Sequence, residues 1–422
     1  MNRAVKANIY KTYTMGFFAA FMVVVPVFVP LLQGYGLSMA QVMQTQAMFA
    51  LTVAICEVPS GYIADMWGRK NTIVLGEFLN AIGFGMLWWA DSFNEFLLYE
   101  MILGVGMSMT SGADLALLYD SEAWLKEQGE QAPGPSRSLS RLISIEAGAA
   151  GIAGICAGVM LNWSMNLVVM VQSVSGVFPF LIALTLVEPP RKKITGSHRE
   201  HAGKIFSLLL FGKPVVLWTA ISIIAFGLMS MYAFWLYQKY WEFQQIPLAM
   251  FGYIWAGFAL VVSVSARYAG VVEQKMGTRG MLLMLAVLPI VGFAGMAVFA
   301  GWLGVLFGLA IQVARGLSVT TFYDALNSRV DSNYRATMNS LVSLGIRGSF
   351  IMTGPALGYL IDAQGIRFSM MSMAVISAPI LILVVFPLLS RIRRERRNTR
   401  AEANALVDGP LKIPGDSPFT SS

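Results

Sequence analysis

Residues 61–70 read Gly61-Tyr-Ile-Ala-Asp65-Met-Trp-Gly68-Arg69-Lys70, a short polar stretch with two glycines set between the apolar runs 39–63 and 72–90. A looser copy stands at the corresponding place in the second half of the chain. There Ala269, Glu273, Gly277 and Arg279 match Gly61, Asp65, Gly68 and Arg69, with one extra residue. A second pair of matches supports the repeat: Leu118-Tyr119-Asp120 is followed by Arg141, and Phe322-Tyr323-Asp324 by Arg335. The chain therefore reads as two parallel halves.

Outward from these loops the sequence is a succession of apolar runs, at 13–33, 39–63, 72–90, 95–120, 138–161, 165–187, 214–238, 247–271, 280–300, 302–327, 336–361 and 368–389. Each is long enough for one helical crossing of a bilayer, about 20 residues. Composition agrees. Of 422 residues 56% are hydrophobic and 13% charged, with a mean hydropathy of +0.63, whereas soluble domains carry about 25% charged residues. Forty glycines and 26 methionines suit closely packed helices better than a β-barrel. The expected fold is an all-α membrane protein of twelve transmembrane helices in two pseudo-symmetric six-helix bundles, numbered below as helices 1 to 12 in the order of the runs.

Basic residues fix the expected orientation. Alternate connections hold Arg69, Lys70, Lys126, Arg137, Lys275, Arg279, Arg329 and Arg335, while the opposite ones contain only Lys239 and Arg367. The positive-inside rule then puts both termini in the cytoplasm, of a cell's inner membrane. The divisions follow: a cytoplasmic start at 1–12, a first bundle at 13–187, a basic linker at 188–213, a second bundle at 214–389 and a basic, partly disordered tail at 390–422. Arg391, Arg393, Arg394, Arg396, Arg397 and Arg400 suit anionic lipid headgroups rather than nucleic acid. The run at 13–33 is too long for a signal peptide and lacks its cleavage site. Cys56 and Cys156 lie in apolar runs, and His198 and His201 have no companion ligands, so neither a metal nor any other cofactor is expected. The expected partners are a small-molecule substrate, protons and lipids, around a monomer.

The loop at 61–70, placed between helices 2 and 3 and echoed between helices 8 and 9, resembles the signature loop of the major facilitator superfamily. The resemblance covers residues 10–390. It implies a secondary transporter whose two bundles rock about a central cavity, with helices 1, 4, 7 and 10 lining it, helices 2, 5, 8 and 11 flanking it, and the rest outside. Within the superfamily the phrases Ser111-Gly-Ala-Asp114-Leu-Ala-Leu-Leu-Tyr119-Asp120-Ser121 and Arg335-Ala-Thr-Met-Asn-Ser340 are most similar to the drug and proton antiporter branch. Two features depart from that branch. Helix 4 reads Tyr99-Glu100-Met101 where an arginine is usual, so that arginine's proton relay is not carried over. Helix 5 reads Gly148-Ala-Ala-Gly151-Ile-Ala-Gly154-Ile-Cys-Ala-Gly158 without a proline, while helix 11 carries Gly354-Pro355-Ala-Leu-Gly358.

Physics assigns the loop a gate. Gly61 permits close helix approach, and Asp65 can meet an arginine or the positive end of a helix from the other bundle. By the repeat, Asp65 should face the start of helix 11 near Arg335, and Glu273 the start of helix 5 near Arg141. Gly68, Arg69, Asp120 and Asp324 complete the expected gate. Charges inside a span cost about 2.5 to 3.5 kcal/mol on insertion scales, so each is a functional candidate. Asp114 on helix 4 and Arg315 on helix 10 are expected to oppose each other across the cavity, with Glu57, Glu146 and Arg347 on flanking helices and Glu77 structural. A desolvated carboxylate takes up a proton, while one paired with arginine stays charged until the pair separates. With no histidine inside the apolar runs, any proton carrier is acidic, and Asp114 is the first choice. Helix 7 carries Trp218, Tyr232, Trp235, Tyr237, Tyr240 and Trp241. Tyr232 and Trp235 are expected in the cavity and many of the others in the interfacial belt. The expectation is proton-coupled transport of a small amphiphilic organic molecule, exported by alternating access. The alternative substrate is a metabolite such as a siderophore, organic acid or sugar, whose anionic group Arg315 and Arg347 could clamp. No nucleotide loop, H-E-x-x-H or G-x-S-x-G motif argues for a pump or an enzyme.

Overall fold

The computed structural model describes residues 1–190, 214–331 and 334–407. The linker from 191, with His198 and His201, and the end from 408 lie outside the described residues. Nine segments among the described residues are long and apolar enough to cross a membrane. Two of them turn at a glycine of positive φ, Gly277 (70°) and Gly365 (79°), and so hold two helices each. The shorter Arg69–Met86 completes twelve. Gly277 and Gly68 (φ 104°) both need the left-handed region, so the two matching loops also share their backbone turn.

Helices 2, 3, 5, 7 and 10 span Met39–Trp67, Arg69–Met86, Pro135–Met160, Pro214–Phe243 and Gly301–Asn327. Helices 8 and 9 occupy 248–276 and 278–298. Helices 11 and 12 occupy 335–364 and 366–407, so helix 12 runs well past the apolar run. Three are interrupted. Helix 1 begins earlier than its apolar run, at Asn2, stops at Ala20 and resumes at Phe28–Gly34. Helix 4 is Phe93–Thr110 and Ala113–Glu127, broken at Gly112 (φ 86°). Helix 6 is Met165–Ser175 and Val177–Leu184.

A break inside a bilayer frees backbone groups that must be satisfied by protein. Two buried glutamines do this for helix 1. Gln172 of helix 6 accepts the Val24 N–H at 3.3 Å. Gln238 of helix 7 inserts between Val29 and Val25: its oxygen accepts the Val29 N–H at 2.9 Å, and its nitrogen donates to the Val25 carbonyl at 3.0 Å. Those two groups are one helical hydrogen-bond step apart, so the side chain replaces one rung of the ladder.

Besides Gln238, several contacts join the bundles at the end away from the termini. Asp362 of helix 11 caps the start of helix 2, accepting the N–H groups of Met39 (2.9 Å) and Ala40 (2.8 Å). Beside it a Cβ on Gly358 would lie 2.6 Å from the Ala40 Cα. Gln44 donates to the Tyr359 hydroxyl at 2.9 Å. Helices 5 and 8 touch through glycine: a Cβ on Gly252 would lie 2.2 Å from the Gly154 carbonyl oxygen. Helix 7 adds Lys239, which donates to Gln33 at 2.9 Å. From there the inter-bundle contacts run down to the Glu57–Arg347 ion pair of helices 2 and 11, 2.9 Å apart. Closer to the termini, the Asn2–Ala20 half of helix 1 packs on helices 4, 5 and 6 of its own bundle. Asn8, fully buried, pins it there through Ser121 and both backbone groups of Val187. The bundles thus meet at the far end and diverge toward the termini.

The aromatic residues of helix 7 depart from the expected belt. Tyr237, Tyr240 and Trp241 are buried, because this stretch is enclosed by helices 8 and 10. Tyr237 donates to the Gly308 carbonyl and Tyr240 to that of Phe299, and Trp241 meets Phe251, Trp255 and Phe258 edge-on.

Candidate functional site

Three adjoining cavities lie where the bundles diverge. The first, of about 430 Å³, is walled by helices 1 to 6 and by Trp235 of helix 7. Glu77, Glu100 and Glu146 all line it, and Glu77 and Glu100 are each only 4% exposed. Each of these two carboxylates is held by a neutral amide. Asn80 donates to Glu77 at 3.1 Å, and Gln46 of helix 2 donates to Glu100 of helix 4. Glu77, expected to be structural, therefore faces this cavity, because Arg69–Met86 packs directly on helix 4 and turns its polar positions toward it.

The second cavity, about 400 Å³, is bounded mainly by helices 7 and 10 and reaches across to Gln46 and Phe49. The third, about 350 Å³, lies among helices 1, 5, 7, 8 and 10. Arg315 lines both, and Trp235 and Gln46 line the first two.

Asp114 and Arg315 do not oppose each other as expected. Asp114 sits in the first turn after the helix 4 break, where its carboxylate accepts the Leu115 N–H at 2.7 Å. It lies close enough to Glu77 and Glu146 for their charges to interact. Arg315 instead lies near the Tyr237 hydroxyl within the second bundle. The divergence of the bundles keeps the two apart. Glu57 and Arg347, expected only as separate candidates, are brought together. Of the two chosen aromatics, Trp235 lines the cavities, whereas Tyr232 is turned to helix 11, hydrogen-bonded to Thr353 and packed on Phe350.

The gate residues are split between the bundles. In the first, Arg69 pairs with Asp120 at 2.9 Å, and Glu188 accepts the N–H groups of Arg69 (3.1 Å) and Lys70 (2.7 Å) at the start of helix 3. Asp65 and Gly61 are exposed at the end of helix 2. In the second, Glu273 accepts from Thr278 at 2.9 Å and shares a 340 Å³ hollow with Asp324. Arg335 donates to its own neighbour's carbonyl, Val330, at 3.0 Å, and Arg141 lies over the Tyr13 ring at 5.5 Å. The expected Glu273–Arg141 juxtaposition across the bundles is therefore replaced by local partners, as it must be where the bundles stand apart.

A sequence model described as Major Facilitator Superfamily matches residues 12–349. The chain belongs to that superfamily. Solved structures of similar shape include the nucleoside transporter NupG, with a TM-score of 0.68 at 13% identity over 93% of this chain and 98% of that one. Another is a bacterial homolog of the human lysosomal transporter Spinster, inward-facing and unoccupied, with a TM-score of 0.66 at 18% identity over 92% and 98%. A POT family transporter in complex with a thioalcohol-conjugated peptide gives 0.65 at 11% over 92% and 96%. Among curated proteins, none matches the sequence. The family match establishes the superfamily and the solved structures its fold; neither specifies a cargo.

The superfamily's helix roles fit the cavities in part: helices 1, 4, 7 and 10 each contribute to them with helices 2, 5, 8 and 11 at their sides, but helices 3 and 6, expected outside, also wall the first cavity. Glu100 and Gln46 escape a sequence reading. The signal was present, since an acid inside the helix 4 run meets the same insertion-cost criterion as Asp114, but nothing in the sequence pairs it with a glutamine on another helix.

Proposed function

We propose that this superfamily transporter is a proton-coupled exporter of a small amphiphilic organic molecule, akin to the drug and proton antiporters, with its basic end in the cytoplasm of an inner membrane. The observation that carries this reading is the acid-lined, otherwise largely apolar first cavity. Glu77, Glu100 and Glu146 face it without a lysine or arginine among its lining residues. Buried carboxylates with neutral partners exchange protons as their surroundings open and close. Asp114, beside two of them, completes a path toward the cytoplasmic end. Glu57 is already committed to Arg347 and serves the gate in this reading.

A metabolite with an anionic group is the second reading. It is favoured by Arg315, which lines two cavities and has no ion-pair partner among the described residues. Proteoliposomes loaded with a substrate panel, with and without an imposed pH gradient, test both. Under the proton-coupled reading Asp114→Asn abolishes gradient-driven accumulation and leaves exchange between equally buffered compartments largely intact. Wild-type accumulation by that variant would transfer the proton to Glu146 or Glu77.

A further inference from the structure

We propose that the second-bundle hollow shared by Glu273 and Asp324 is a binding site for a guanidinium-type organic cation, which takes the place that the Arg69 side chain holds in the first bundle. The site goes beyond the transport reading and stands apart from the cargo cavities. Of the residues lining it, only Phe322 also lines a central cavity.

The hollow follows from one difference between the repeats. In the first, the residue after the left-handed glycine is Arg69, which begins helix 3 and reaches Asp120 at 2.9 Å. In the second, the residue after Gly277 is Thr278, which turns to Glu273. The next arginine, Arg279, comes one position later, about 100° farther round the helix, and is exposed. Asp324, the counterpart of Asp120, is left without an ion-pair partner among the described residues. A volume of about 340 Å³ remains there, enclosed by helices 7, 8, 9, 10 and 12.

The charged residues of its lining are Glu273, Asp324 and Arg329. Arg329 is already committed. Its Nε and Nη2 donate to Glu395 of helix 12 at 3.2 and 3.0 Å, and its Nη1 to the Ala325 carbonyl at 2.9 Å. Two carboxylates therefore face the hollow with no basic side chain of its lining directed at them. A third acceptor is the Thr321 hydroxyl, which is buried and has no hydrogen-bond partner among the described residues. Val215, Leu282, Leu388 and Ile392 supply an apolar wall.

These features select the ligand. The carboxylates call for positive charge, and a guanidinium presents a planar fork of donors that grips a carboxylate bidentately and keeps others for a hydroxyl. The apolar wall accepts a short alkyl stem. For a metal ion the described residues bring no third acidic, histidine or cysteine ligand. A cation seated here remakes the Arg69–Asp120 pairing in the second bundle and so stabilises the connection between helices 8 and 9.

The probe is n-butylguanidinium, and its comparison is n-butylurea, planar and of the same shape but neutral. Purified full-length protein in nanodiscs of zwitterionic lipid should bind the guanidinium in calorimetric titration, with Tm rising as ligand is added, and should not bind the urea. Asp324→Asn should weaken binding about tenfold, while the surface control Glu130→Gln leaves it unchanged. Thr278→Arg supplies the missing side chain from within the chain. It should raise Tm in the absence of ligand and abolish guanidinium binding. No binding by the wild type, or equal binding of the urea, overturns the proposal, and this comparison decides even if neither variant folds. Wild-type affinity in a folded Asp324→Asn or Thr278→Arg variant would place the cation elsewhere and overturns it too. None of these outcomes depends on the direction or coupling of transport.

Discussion

The Asp362 carboxylate of helix 11 and the Ala40 amide of helix 2 are 2.8 Å apart, and they belong to opposite bundles. With Met39 alongside, the carboxylate sits on the positive end of helix 2 and can do so only while the far end is closed. Glu188 makes the same kind of contact with helix 3 inside one bundle, where it has no need to break.

Asp362→Ala should therefore favour the far-side-open state. The exposed position limits the contribution to about 1 kcal/mol, roughly a fivefold change in the equilibrium. Labelling of a cysteine placed at Gln44 from the far side should quicken accordingly. An unchanged labelling rate would reduce Asp362 to an ordinary helix cap.

Gly252→Val places methyl groups where the Gly154 carbonyl oxygen and Gly158 backbone already stand. Helices 5 and 8 then cannot close. Spin-label distances across the far end should lengthen and transport should stop, with the protein still folded and monodisperse. Retained transport would mean that this glycine contact is dispensable for closure.

Glu57 and Arg347 are each only partly shielded, so the pair is worth about 1 kcal/mol rather than the several of a dry one. Glu57→Gln and Arg347→Gln should each lower thermal stability slightly, and the double variant should lose less than the sum. Additive losses would show that the two side chains act independently.

Arg315→Ala tests the second-bundle wall. It should impair anionic substrates most and spare cations, since the repulsion from that wall disappears. Equal loss for anionic, neutral and cationic compounds would indicate a packing role instead.

Helix number and the repeat were legible because each leaves a local mark: apolar length and matched loops. The breaks in helices 1 and 4 were less so. Pro26 and Gly112 hint at them, but the glutamines that make the first tolerable lie on helices 6 and 7. Glu100 with Gln46, and Asp362 with Met39 and Ala40, pair residues distant in the chain and on different helices, so no spacing rule reaches them. The separation of Asp114 from Arg315 depends on which end of the cavity is open, a property of the conformational state and not of the pattern of residues.

The insertion of Gln238 into helix 1 makes opening of the far end a trade of partners rather than a rupture. When helix 7 withdraws, the Val29 N–H and Val25 carbonyl that it bridges are already in register to bond each other. Helix 1 can then straighten across its gap while the freed amide turns to the incoming water. The hinge of one bundle is thus wedged by a side chain of the other, and amide hydrogen exchange at Val29 should remain slow in both access states.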